Sequence, residues 1–166
     1  IDIGSSLGPN TSIGAPNTSW SASAWINRNN LNGVVAFTDY NSIAGNTNNG
    51  QNDMTFITLQ VGQSLAYASF RTNGVDVNVS GGNISSDQWH QIAYTVNNGI
   101  LKLFVDGNEV AQTFFDSNFN FNESPFYRIG SGMWNGNYGP STGLTDDIGI
   151  WNRALTNQEI QGLYTG

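Results

Sequence analysis

The sequence of 166 residues contains no cysteine. Disulfide frameworks and zinc–thiolate sites are thereby excluded, and the redox compartment is left open. Positive charge is scarce: one lysine, Lys102, and four arginines stand against 12 Asp and Glu, for a formal net charge of −7. A nucleic-acid partner needs cationic side chains to displace phosphate counterions, so that class is unsupported. Direct attraction to anionic lipid fails on the same ground. No apolar run approaches the roughly 20 residues of a membrane span, so membrane insertion is not expected. Charged residues of both signs make up only 10% of the chain, against roughly 25% in typical soluble domains. The chain opens on Ile1 with neither Met nor signal peptide and reads as a processed or excised module.

What is present is an apolar fraction of 38% with 12% aromatic residues, enough for a packed core. Asn, Ser, Thr and Gly take the surface places that charges usually hold, which suits short strands joined by many turns. Short alternating segments recur between Gly/Asn/Asp-rich breaks, the rhythm of an all-β sandwich. Strands are predicted over 20–27, 33–39, 54–61, 65–71, 75–79, 89–96, 100–105, 109–115, 126–130 and 143–151. Residues 89–115 predict a three-stranded meander, with turns at Asn97-Asn98-Gly99 and Asp106-Gly107. In its middle run Leu101, Leu103 and Val105 share one face, and Lys102 and Phe104 the other. One helical signal stands at the C-terminus: Thr156 and Glu159 have capping-box spacing, and Leu155 and Ile160 the matching staple spacing. The predicted fold is all-β, a two-sheet antiparallel β-sandwich of jelly-roll type with one short C-terminal helix, in a single domain over 1–166.

Four stretches carry a resemblance. Trp20-Ser-Ala-Ser-Ala-Trp25-Ile26 resembles the "FTISAWV" strand of bacterial laminin-G-like (concanavalin A-like) jelly rolls, and Trp89-His90-Gln-Ile-Ala-Tyr-Thr95 resembles their "WHHVAVT" strand. Leu101 to Gly107 resembles "LRLYVDG". Gly143 to Leu155 resembles "GLIDDVRIYNRAL", followed by the family's "S/T-x-x-E-I" helix. The resemblance implies one further strand before Ile1, missing or trimmed here. It also implies a domain that binds glycans, mediates adhesion or accompanies secreted enzymes.

The same fold class houses glycoside hydrolases, which normally set two carboxylates across the sugar bond. The glucanase relatives place them as Glu-x-Asp-x-x-Glu or Glu-x-Asp-x-Glu on one strand. Here the only glutamates are Glu109, Glu123 and Glu159, and none begins such a pattern. Asp146 and Asp147 are adjacent, so a regular strand turns them to opposite sides. A Ser-His-Asp reading would rest on His90, the sole histidine. Its neighbours Trp89 and Ile92 place it in a core strand, as a packed, hydrogen-bonded ring. The chain is therefore expected not to be an enzyme.

Sugar sites combine an aromatic surface for the C–H face of a pyranose with polar groups for its hydroxyls. The stretch Ser131 to Pro140 reads as a loop with Trp134, Asn135 and Tyr138 among glycines. A second long loop begins at Tyr40-Asn41. The resemblance implies that both loops lie at one end of the sandwich, bringing Asp39 and Asn41 near Trp134, Asn135 and Tyr138. Arg71 and Asn73 join them as donors, or else Arg71 pairs with Asp76. The expected ligand site is thus Asp39, Asn41, Arg71, Trp134, Asn135 and Tyr138. A structural Ca²⁺ is the cofactor that the resemblance implies, with Asp146 and Asp147 at the motif position and Asp39 and Asp53 as loop alternatives. The function expected is that of a non-catalytic carbohydrate-binding module for a polysaccharide or glycan. It would be secreted or at the cell surface, monomeric, and attached to a catalytic or surface-anchored domain. The alternative is an adhesion or spacer domain that binds protein or nothing.

Overall fold

In segment 20–27 Trp20, Ala22, Ala24 and Ile26 alternate with Ser21, Ser23, Trp25 and Asn27. A period of two gives the strand one apolar side, and that side must be covered. The computed structural model describes residues 2–4, 19–28, 34–42, 54–62, 64–72, 75–116, 127–129, 131–134, 137–140, 143–151 and 153–166, with side chains described for 19–27, 64–69, 76–116, 143–151 and 153–166. The strands are β1 (Asp2–Gly4), β2 (Trp20–Arg28), β3 (Val34–Ser42), β4 (Met54–Gly62), β5 (Leu65–Thr72), β6 (Val75–Asn83) and β7 (Trp89–Asn97). They continue as β8 (Ile100–Val105), β9 (Asn108–Phe114), β10 (Tyr127–Ile129), β11 (Ser131–Trp134), β12 (Asn137–Pro140) and β13 (Gly143–Trp151), and helix α1 (Asn157–Thr165) closes the chain.

One sheet has the order β1-β10-β3-β4-β5-β6, the other β13-β2-β7-β8-β9, and β11 and β12 form a separate ribbon. Every pairing is antiparallel. The main core lies between the two large sheets: Trp20, Ile26, Ile92 and Leu103 from one meet Ala68 and Val79 from the other. Trp20 and Tyr94 are both buried, and the indole N–H donates to the Tyr94 hydroxyl at 3.2 Å. This is the jelly-roll sandwich with one C-terminal helix expected from the sequence.

The meander β7–β8–β9 forms as predicted. Its turns are Asn98-Gly99 and Asp106-Gly107, all four residues having positive φ, as a two-residue type I′ hairpin demands. Leu101, Leu103 and Val105 enter the main core, whereas Phe104 on the opposite side is equally buried because α1 covers it. That second cluster joins Ala93, Phe104, Leu155 and Ile160, with Trp151 packed against it. Helix α1 starts as read: Thr156 is the N-cap, and the reciprocal Thr156–Glu159 capping box is formed. Leu155 and Ile160 are both buried.

The structure departs from the sequence reading at several edges. A strand at Asp2–Gly4, not foreseen, pairs with β10. Strand β3 runs on to Ser42, through Tyr40 and Asn41 that read as loop, and β6 continues to Asn83. Trp89 is not a core residue but 42% exposed, since it stands on the side of β7 away from the main core.

Candidate functional site

Ser131 to Pro140, expected as an open loop, pairs as two strands, from Ser131↔Pro140 to Trp134↔Asn137. The signal for this was the dipeptide Asn135-Gly136, which favours a tight hairpin. Asn135 itself lies outside the described residues. Tyr138 stands opposite Met133, one row from the Trp134–Asn137 row. Successive rows of a ribbon belong to alternate faces, so Trp134 and Tyr138 occupy positions on opposite faces of the hairpin.

Strand β11 lies against β3, which carries Asp39 and Asn41. These two are one residue apart and share a face by strand alternation. Asp39 belongs to the row Tyr127–Asp39–Ile57–Phe70–Val77, and Val77 of that row is buried in the core. Arg71 belongs to the next row, Tyr40–Phe56–Arg71–Asp76, directly across from Asp76. Adjacent rows alternate faces, so Asp39 and Asn41 occupy positions on the face of Val77, and Arg71 a position on the opposite face. Asn73, Asp53 and Glu123 lie outside the described residues.

Asp146 and Asp147 are exposed, and the strand that carries them is not regular. A bulge interrupts the β13–β2 ladder between Asp146 and Gly149, and Asp147 has φ 45°. The backbone N–H of Asp147 donates to Asp146 Oδ1 at 2.9 Å. Before the bulge Leu144 and Asp146 stand on the face away from the main core; after it, Ile148 and Ile150 pack against that core. The extra residue therefore exchanges the two faces. Among the described residues no group of three or more His, Asp or Glu side chains is placed to hold a metal ion. The two carboxylates would supply only part of a calcium shell of 6–8 oxygens, the rest coming from carbonyls, amides or water.

His90 is hydrogen-bonded at both ring nitrogens. Nδ1 lies 2.8 Å from Asp106 Oδ2, and Nε2 lies 2.7 Å from Ser85 Oγ. These distances match a Ser-His-Asp relay, whose outer members sequence spacing did not reveal. The surroundings show what the arrangement does. Ser85 N–H also points at Nε2, at 3.3 Å, and Ser85 Oγ lies 3.0 Å from Gln88 Oε1. Asp106 Oδ1 accepts from the Gln91 backbone N–H at 3.0 Å. The imidazole thus ties the β6–β7 connection to the β8–β9 turn, and the packed, hydrogen-bonded reading accounts for all its contacts.

The glutamates with described side chains hold structural pairs. Glu109 accepts from Lys102 Nζ at 2.7 Å. Glu159 takes both Arg153 nitrogens, at 2.9 and 2.6 Å, and the Thr156 backbone N–H. Arg153 first, and then the Thr156 N–H, hold its carboxyl down at about 2.

The fold is shared widely among solved structures. The chain superposes on the CBM40 of the Ruminococcus gnavus IT-sialidase, bound to α2,3-sialyllactose, with TM-score 0.72 and 13% identity, covering 98% of this chain and 90% of that one. Domain 4 of AbnA, a GH43 extracellular arabinanase from Geobacillus stearothermophilus, in complex with arabinotriose, gives TM-score 0.64 and 22% identity over 90% and 68% of the two chains. A SAP-like pentraxin from Limulus polyphemus gives 0.63 and 14% over 92% and 71%. Among curated proteins none matches in sequence. At these identities the structural likeness speaks for the fold. Sequence speaks for the family: residues 4–161 match its model. The chain belongs to the concanavalin A-like lectin/glucanase superfamily, in its laminin-G-type branch.

Proposed function

We propose that the chain is a non-catalytic carbohydrate-binding module, secreted or displayed at the cell surface and joined to a catalytic or surface-anchored partner domain. The observation that carries this reading is the aromatic hairpin β11–β12 lying against β3, the strand that carries Asp39 and Asn41. Two of the similar structures are sugar-bound domains of a sialidase and an arabinanase, which supports the same ligand class. Support against catalysis comes from the carboxylates: Glu109 and Glu159 are engaged in ion pairs and a helix cap. No helix of the described residues is long and apolar enough to cross a membrane.

The proposed rim site comprises Asp39, Asn41, Arg71, Trp134, Asn135 and Tyr138. A pyranose stacking on one ring would find amide and carboxylate groups of β3 and the hairpin tip for its hydroxyls. A calcium ion at Asp146 and Asp147, completed by loop oxygens, belongs to the same proposal. Because the register gives Trp134 and Tyr138 positions on opposite faces, unequal contributions are expected. Trp134→Ala and Tyr138→Ala, made separately, are compared by retardation in polysaccharide-containing gels. Loss of retardation in at least one, with an unchanged far-UV spectrum, is expected. Unchanged retardation in both removes the rim site.

A further inference from the structure

The five-stranded sheet presents a second aromatic surface on its outer side. The row Leu144–Asn27–Trp89 crosses β13, β2 and β7, and the neighbouring row of the same face is Asp146–Trp25–Gln91. Both rows look away from the main core, because Ala24 and Ile26, which alternate with them, are fully buried in it. Tyr164 of α1 stacks on Trp25 with ring centroids 5.7 Å apart and 21° between planes. The helix footprint stops there. Trp89, Leu144 and Tyr164 remain 42%, 61% and 37% exposed.

The polar members of these rows decide the ligand. Asn27 sits between Leu144 and Trp89, and Asp146 stands beside Trp25. Asp146 is exposed and uses Oδ1 for the Asp147 N–H. Gln91 is buried to 1%, and its Oε1 has no hydrogen-bond partner among the described residues. A protein-binding patch is depleted in Asp at its centre, whereas rings alternating with amide and carboxylate groups suit a ligand of C–H faces and hydroxyls. The chain's net charge of −7 disfavours strongly anionic glycans.

We propose that Trp25, Trp89 and Tyr164, with Asn27 and Asp146, form a second platform that binds an uncharged polysaccharide chain along the outer face of the five-stranded sheet. The ligand class rests on the reading of the chain as a glycan-binding module, but the location does not depend on the rim hairpin. Trp89, at the open edge of the platform, is the ring to remove.

The test uses the full chain and affinity gels containing hydroxyethyl cellulose, xylan or glucomannan, run on wild type, Trp89→Ala, Trp89→Phe, Asn27→Ala and Trp134→Ala/Tyr138→Ala. On a polymer that retards wild type, Trp89→Ala is expected to bind about tenfold more weakly or worse. Trp89→Phe recovers most of the loss, and Asn27→Ala weakens binding without touching a ring. Loss in Trp89→Ala with retention in the rim double variant supports the platform and removes the rim site. Wild-type retention in both Trp89→Ala and Asn27→Ala overturns the platform, whatever the rim variant does. No retardation of wild type on any of the polymers overturns the platform and leaves the rim site to be tested on other glycans. Sedimentation showing a dimer that Trp89→Ala dissociates, with unchanged retardation, also overturns it and assigns the surface to self-association.

Discussion

Asp147 shows how one residue sets the chemistry of a strand. Strict alternation in Gly143–Trp151 would put Leu144, Asp146, Ile148 and Ile150 on one face. The bulge at Asp147, with φ 45°, instead sends the isoleucines inward and leaves Leu144 and Asp146 outside. Asp tolerates left-handed backbone because its short side chain or its neighbour's can bond locally. Here Asp146 supplies the acceptor. Asp147→Val places a β-branched residue in that conformation and is expected to lower stability by about 1–2 kcal/mol. Asp147→Gly is expected to change it by less than about 1 kcal/mol. Urea unfolding measures both, and a neutral Val variant would show that the bulge is not needed. The adjacent carboxylates were visible in the sequence as a pair on a strand. The bulge was not, because it depends on the partner strand. His90 is similar: its packed role was legible from its strand, while Ser85 and Asp106 became its partners only when two connections met in space.

At the scale of elements, α1 was the most legible feature, since its signals are local. Thr156, Glu159, Leu155 and Ile160 lie within one turn of the helix start, and each does what its spacing implied. Arg153 adds a clamp from just outside the helix, through two hydrogen bonds to the same carboxylate. The Glu159 pKa is depressed from 4.5 to about 2. A depressed folded value means that the unfolded chain binds the proton first. The contribution is therefore complete above about pH 4.5 and fades as pH falls through about 2. Tyr164 reports it, being stacked on Trp25 from the last turn. Acid titration of wild type is expected to shift the near-UV signal of that pair within this window. Glu159→Gln is expected to remove that transition while leaving the rest of the titration in place; an identical titration in the variant would contradict the clamp. The ribbon β11–β12 was harder to read. Two strands of four residues hold too little alternation to register, and the glycine-rich composition around Asn135-Gly136 pointed equally to an open loop. Strand β1, three residues long, carries no periodic signal at all.

Across the whole molecule, alternating segments, turn dipeptides and four ordered motifs were sufficient for the sandwich, because both sheets are built from antiparallel neighbours with one buried side. The candidate sites were less legible. Composition pointed to Trp134 and Tyr138, but which face each occupies is a matter of register. The strand of His90 read as core, yet Trp89 at its start is exposed on the side away from the main core. Aromatic residues combined with amide and carboxylate residues in an acidic chain are what unite the two proposals. The most direct test is a binding screen of the wild-type chain over immobilised polysaccharides, with calcium and again with EDTA. Retention on at least one uncharged polysaccharide is predicted, weakened by EDTA together with a lower melting temperature if the ion at Asp146 and Asp147 is structural. Retention on none of them, with or without calcium, would contradict the account of this chain as a carbohydrate-binding module.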